Sequence, residues 1–305
     1  MRAYDPELAP AVPLLPRLDL ADLSEARRLL REGFGFARAD VDTSGLDVDD
    51  RTVGDPPVGV RVYRPMGRTA PSPGLLYLHG GGLVLGDVES EHAGATAIAK
   101  ALGVVVVSVE YRLAPEHPFP AGLDDCYAAL QWMVAEAAEL GVDTARVGVF
   151  GQSAGGGLAA ALALLARDRG GPALCFQLLG IPELDDRLDT PSMREFVDTP
   201  MWDRPNAVLS WQYYLGDAAE VSPYAAPARA TDLAGLPPAY VTVAEFDPLR
   251  DEGLDYACRM VQAGVPVELH LFPGTFHGSG VVVGADVSKR AGAEMIGALR
   301  RGLRV

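Results

Sequence analysis

The stretch 147–160, VGVFGQSAGGGLAA, constrains the fold more than any other part of this chain. A short apolar run, 147–150, stops abruptly at Gly151-Gln152-Ser153-Ala154-Gly155. Small and helix-forming residues then follow over 158–166. The pattern reads as strand, sharp turn and helix, with a serine at the apex. Gly151 and Gly155 flank that serine because so tight a turn brings neighbouring backbones too close for a Cβ. The turn lifts the Ser153 hydroxyl clear of the sheet and sets the next backbone N–H at a helix N-terminus. Taken alone, G-x-S-x-G also suits a serine that merely caps a helix. The decision rests on the rest of the chain.

Alternating strand and helix signals run through most of the sequence. Val58, Val60 and Val62 alternate, 75–78 and 104–109 are continuous apolar runs, and 89–102 and 123–140 carry helical periodicity. Apolar strands are expected again at 146–150, 173–179, 239–243 and 266–271, with helices at 254–262 and 289–301. Strands interleaved with helices imply a parallel sheet covered on both sides. Residues 1–16 are proline-rich and expected to be irregular, 19–30 forms an amphipathic helix, and 40–55 reads as an acidic, turn-rich connector. Residues 182–236 break the period and hold one aromatic helix candidate, 206–214. So long a break inside a sheet points to a functional insertion.

At 305 residues the chain can hold one large α/β domain, or one with a modest appendage. A formal net charge of −15 disfavours a nucleic acid or an anionic membrane surface as partner. No apolar run approaches the length of a membrane span. Cys126, Cys175 and Cys258 are odd in number and widely spaced in apolar or helical contexts, which fits buried thiols in a reducing compartment, not a disulfide frame or a zinc site. The start, MRAYDPELAP, lacks the basic and apolar regions of a signal peptide, so the expected location is cytoplasmic.

Three further signals join the serine. His79-Gly80-Gly81-Gly82 follows a strand, and consecutive glycines let backbone N–H groups converge on one point, as a developing oxyanion needs. His79 reads as a residue that fixes this loop. The strand 241–246 delivers Asp247, and the last strand delivers His277 within FPGTFHG. In a parallel sheet, strand C-termini gather along one edge, where ligands bind. Ser153, Asp247 and His277 can therefore meet there, and their order along the chain is that of an α/β-hydrolase. Glu245 and Asp251 also lie near Asp247; Asp251 falls at a helix start, where a carboxylate has a structural use. His92 with Glu89 and Glu91 is too closely packed in sequence to make a convincing metal shell. His117 and His270 read as structural.

With these pieces in view, the chain resembles the hormone-sensitive-lipase-like (bacterial family IV type) α/β-hydrolase carboxylesterases. The matching segments are HGGG at 79–82, YRLAPEHPFPA at 111–121, GQSAGGG at 151–157, DPLRDEG at 247–253 and FPGTFHG at 272–278. The resemblance implies a mostly parallel central sheet covered by helices, with a helical cap. It implies Ser153 as nucleophile, Asp247 as triad acid and His277 as base, with the N–H groups of Gly81, Gly82 and Ala154 as oxyanion hole. It divides the chain into cap segments at 1–45 and 183–220 and hydrolase core at 46–182 and 221–305. No metal and no organic cofactor is implied, and the substrate is a small ester of short to medium acyl chain. Two positions depart from the family pattern. Gln152 stands where many members carry an acid, and Leu83 stands where an aromatic is frequent. Both bear on substrate preference more than on reaction type.

Competing readings are hydrolysis of another acyl bond (amide, thioester or lactone) and a non-catalytic binder of the same fold. The retention of serine, acid and histidine argues against the binder. The strand at 266–271, expected at the sheet edge, offers a surface for a homodimer.

Overall fold

Side-chain alternation divides the buried strands between two layers of helices. In β4 (Val105–Glu110), Val105, Val107 and Val109 enter one core and Val106 the other. β3 (Ser72–Leu78) splits Leu76 and Leu78 from Leu75 and Tyr77, and β5 (Val142–Gln152) splits Val147 and Val149 from Phe150. A strand covered on both faces needs apolar side chains at successive positions, which is why these segments read as unbroken runs.

The computed structural model describes residues 3–33, 41–69 and 71–305. Part of the 1–45 segment and Asp40 of the acidic connector lie outside the described residues. With β1 (Leu46–Val53), β2 (Val58–Pro65), β6 (Phe176–Gly180), β7 (Ala239–Phe246) and β8 (Val267–Phe276), the strands form one eight-stranded sheet in the order β1-β2-β4-β3-β5-β6-β7-β8. β2 runs antiparallel to both its neighbours, and the pairs from β4 to β8 are parallel. Helices α2 (His92–Leu102) and α9 (Asp286–Gly302) pack on one face. On the other lie α3 (Ala121–Ala135), α5 (Ala154–Asp168) and α8 (Arg250–Gln262). α5 is buried on every side from Ala154 to Ala166, as expected of a helix apolar all round.

The segment after β6 leaves the sheet and holds α6 (Pro191–Glu195) and α7 (Arg204–Leu215). The turn Leu20–Asp22, which leads into the N-terminal helix α1 (Leu23–Gly33), docks onto α7. Asn206 is the clasp: its Nδ2 donates to the Leu18 carbonyl at 3.0 Å and its Oδ1 accepts from Leu20 N–H at 2.9 Å. Tyr213 Oη adds a bond to the Leu20 carbonyl at 3.1 Å.

Four local expectations are corrected. Half of the acidic connector is strand β1, because its carboxylates pair across the ladder. Asp47 and Asp50 sit opposite Arg64 and Arg61 in register, and their ion pairs are 2.7 and 2.6 Å. The helix at 123–140 is interrupted at Glu136, and α4 (Ala137–Leu140) continues it with Ala137 and Leu140 turned into the core. Residues 9–14 form a 3-10 helix, and the chain start is pinned to β8 through Asp5 N–H on the Gly274 carbonyl at 2.9 Å. β8 runs on to Phe276, past a register shift against β7, so the last strand ends directly at His277.

Candidate active site

The elbow can form because its glycines allow a backbone approach that any Cβ would block. A Cβ on Gly155 would lie 2.2 Å from the Leu78 carbonyl oxygen, so α5 enters against the end of β3 only without one. Ser153, with no such freedom, is held at φ 56°, ψ −124°. Three bonds hold it there: its N–H donates to the Gly180 carbonyl at 2.8 Å, and its carbonyl accepts from Gly157 N–H at 3.0 Å and Glu183 N–H at 3.1 Å. A strained, over-determined serine at a strand–helix turn is a common mark of a functional position.

Ser153, His277 and Asp247 come together although 94 residues separate the first from the acid and 30 separate the acid from the histidine. His277 Nε2 lies 2.9 Å from Ser153 Oγ, and His277 Nδ1 lies 2.7 Å from Asp247 Oδ2. Since a carboxylate only accepts, Nδ1 carries the proton and Nε2 is left to accept from the serine hydroxyl. Asp247 is 1% exposed, and its second oxygen accepts from Leu249 N–H at 2.9 Å. The neighbouring acids are occupied elsewhere. Asp251 Oδ2 accepts from Ser192 N–H at 2.7 Å and Oδ1 from Arg250 Nε at 2.7 Å. Glu245 Oε2 accepts from Gly274 N–H at 2.8 Å.

Opposite the triad, Gly81 and Gly82 take φ 120° and 57°. Among the described residues, the N–H groups of Gly81, Gly82 and Ala154 donate to no protein acceptor. Gly81, Gly82, Ser153 and His277 line one cavity of about 1540 Å³, and Ala154 is buried at the first position of α5. His79 fixes the loop from behind. Its ring stacks on Tyr111 at 4.0 Å, Nδ1 donates to the Gly80 carbonyl at 2.8 Å, and Tyr111 Oη donates to the His79 carbonyl at 2.8 Å. Burial pushes the His79 pKa down to about 4, so it remains neutral.

His92 and His270 have separate partners. His92 Nδ1 lies 2.9 Å from Tyr63 Oη, while Glu89 pairs with Arg61 and Glu91 accepts from Tyr77 Oη. His270 pairs with Glu294 and stacks on Phe272. Among the described residues, no group of three or more His, Cys, Asp or Glu side chains is arranged to hold a metal ion.

Two residues beside the triad have no motif in the sequence. Trp202, 4% exposed, stands 6.0 Å from the His277 ring and lies so close to Gly82 that a Cβ there would be 2.4 Å from its Cη2. Glu183, 2% exposed, is held at about 7 by burial; Asp247 raises it further, while the Ser210 hydrogen bond and His277 pull it down. Its one sequence signal is an acid set between Ile181-Pro182 and Leu184 after a buried strand. The two departures from the family pattern also lie here. Gln152 is exposed at the mouth and its Nε2 approaches Met295 Sδ at 3.8 Å, whereas Leu83 is buried with φ 62°.

A family model described as the alpha/beta hydrolase fold matches residues 75–280. The esterase LipI of Mycobacterium tuberculosis is 40% identical over 302 residues, covering 95% of this chain and 93% of that protein. The carboxylesterase NlhH of the same species is 46% identical over 241 residues, 76% of this chain and 75% of that one. Among solved structures, a bacterial heroin esterase superposes with a TM-score of 0.97 at 53% identity, covering 99% of both chains.

Proposed function

Starting from the fact that this chain belongs to the hormone-sensitive-lipase-like branch of the α/β-hydrolase family and is a serine carboxylesterase, we propose that Ser153, His277 and Asp247 carry its reaction. The observation that carries this reading is the buried relay, 2.9 Å from hydroxyl to imidazole and 2.7 Å from imidazole to carboxylate. His277 Nε2 takes the Ser153 proton as Oγ attacks the ester carbonyl. Gly81, Gly82 and Ala154 N–H groups receive the tetrahedral oxyanion. His277 then protonates the departing alcohol, and water repeats the sequence on the acyl-enzyme. Asp247 holds the imidazole in the required tautomer and stabilises its charged form.

Residues 1–45 and 183–220 act in this reading as the cap over the core segments 46–182 and 221–305. The Asn206 clasp between the N-terminal segment and α7 supports it. Trp202, on the cap side of Gly82, limits the acyl group to short or medium length. A second copy docks along β8, an edge strand with Leu269 39% and Leu271 36% exposed. Against the expectation that all three thiols are buried, Cys126 is buried, Cys175 half-buried and Cys258 exposed, because Cys258 falls on the solvent face of α8; free thiols fit a cytoplasmic location. No described helix is long and apolar enough to cross a membrane.

The test is labelling with a serine-directed organophosphate, read by peptide mass, beside a p-nitrophenyl ester series with amide, thioester and lactone panels. Covalent mass on Ser153 and loss of ester turnover in Ser153→Ala are expected. Label on another serine, or full turnover in that variant, overturns the assignment.

A further inference from the structure

Glu183 and Ser210 close both ends of the insertion after β6 onto the glycine loop. Ser210, on α7 and fully buried, has its Oγ 2.8 Å from the Gly82 carbonyl and 3.0 Å from Glu183 Oε1. The Glu183 backbone N–H donates to the carbonyl of Ser153 itself. One carboxylic residue therefore touches the nucleophile through its main chain and reaches the oxyanion loop through its side chain by way of Ser210.

A count of protons decides the state of this link. A serine hydroxyl carries one hydrogen, and the Gly82 carbonyl can only accept. If Glu183 were a carboxylate, it and Gly82 would compete for that hydrogen, and one buried acceptor would go without. If Glu183 carries a proton on Oε1, it donates to Ser210 Oγ and Ser210 donates to Gly82, so both short contacts are hydrogen bonds. An unsatisfied buried acceptor is costly, which favours the second arrangement.

We propose that Glu183 acts as a neutral carboxylic acid and, through Ser210, is the positioning residue that pins the Gly82 carbonyl and so sets the oxyanion-hole geometry. The inference rests on the serine-esterase reading and deepens it. Gly82 sits at φ 57°, so its N–H direction depends on what holds the peptide units around it. Pinning its carbonyl pre-organises that N–H before charge develops on the substrate. Burial is the main support for the neutral form. Four titratable groups act on or beside Glu183. Asp247 opposes its ionisation, and His277 and the Ser210 bond favour it. Tyr214 on α7 and Glu252 on α8 each feel the Glu183 charge as a rise in their own pKa. Above its titration Glu183 loses its proton to solvent, Ser210 turns its hydrogen to the carboxylate, and the Gly82 carbonyl is released.

The experiment compares kcat and KM across pH for wild type, Glu183→Gln, Glu183→Ala and Ser210→Ala, with thermal melts on each. Glutamine keeps a donor for Ser210 and cannot ionise. It is expected to rescue most of the turnover that alanine loses, and to remove the decline of kcat on the alkaline side of the Glu183 titration. Ser210→Ala and Glu183→Ala should lower kcat by about tenfold with KM little changed, less than the ~10²–10³ lost with an oxyanion donor itself. Infrared difference spectra between wild type and Glu183→Gln should show loss of a protonated-carboxyl C=O band, a readout independent of turnover. An alkaline limb identical in wild type and Glu183→Gln, or wild-type kcat in Ser210→Ala, overturns the proposal. Failure of the esterase reading would appear instead in the Ser153 labelling.

Discussion

The backbone of Ser153 gives a prediction in which glycine beats alanine outside a glycine position. At φ 56°, ψ −124° a non-glycine residue stores strain of about 1–3 kcal/mol. Ser153→Ala and Ser153→Gly both delete the hydroxyl and its bond to His277, so that loss cancels in their comparison. Glycine alone relieves the strain, at a backbone-entropy cost of about 0.5–1 kcal/mol in the unfolded chain. The balance predicts that Ser153→Gly is more stable than Ser153→Ala by about 0.5–2 kcal/mol. At about 2.1 cal/mol/K of unfolding entropy per residue, that is a rise in Tm of roughly 1–3 °C for a chain of this size. Thermal and urea unfolding of the two inactive variants, side by side, measure it. Should Ser153→Gly melt below Ser153→Ala, as an ordinary Ala-to-Gly change would, the strain argument fails, and with it the claim that the surrounding bonds force this conformation.

Four more outcomes follow from the same geometry. Asp247→Asn should lower kcat by roughly 10³–10⁴ through the wrong imidazole tautomer. Asp251→Asn, which weakens bonds to Ser192 and Arg250, should cost about 1 kcal/mol in a thermal melt and leave turnover in place. Trp202→Ala should raise the kcat/KM ratio of hexanoate over acetate esters by tenfold or so, as about two of the four additional methylenes become newly buried at about 0.8 kcal/mol each; an unchanged ratio in the p-nitrophenyl series counts against the wall assignment. Glu183 also predicts a pH dependence of stability. Its folded pKa, about 7, lies above its ordinary 4.5. The stability it contributes is therefore complete below 4.5 and lost as pH rises through 7. The loss is on the order of 3 kcal/mol and should be absent from urea titrations of Glu183→Gln.

What the sequence determined by itself was everything carried by local backbone demand. The elbow 151–155 and the glycines at 80–82 are legible because steric rules act on adjacent residues, and 104–109 because a strand buried on both faces is apolar at every position. The order Ser153, Asp247, His277 could be read for a similar reason: parallel topology sends each strand end to the same edge, so the meeting point follows from the element order. Tertiary structure alone decided three things. β1 looks like a turn-rich acidic linker until Arg61 and Arg64 are placed opposite its aspartates. Spacing by itself leaves Glu245, Asp247 and Asp251 all near His277, since the choice depends on where a loop turns; the family resemblance points to Asp247, and the 2.7 Å contact is the geometry that separates them. Glu183 is the third. Its one local signal, an acid set between Ile181-Pro182 and Leu184, does not reveal its need for a proton, which arises only when α7, 27 residues further on, brings Ser210 between it and Gly82. Local rules write themselves into neighbouring residues, whereas desolvation and proton sharing belong to groups the chain brings together from a distance.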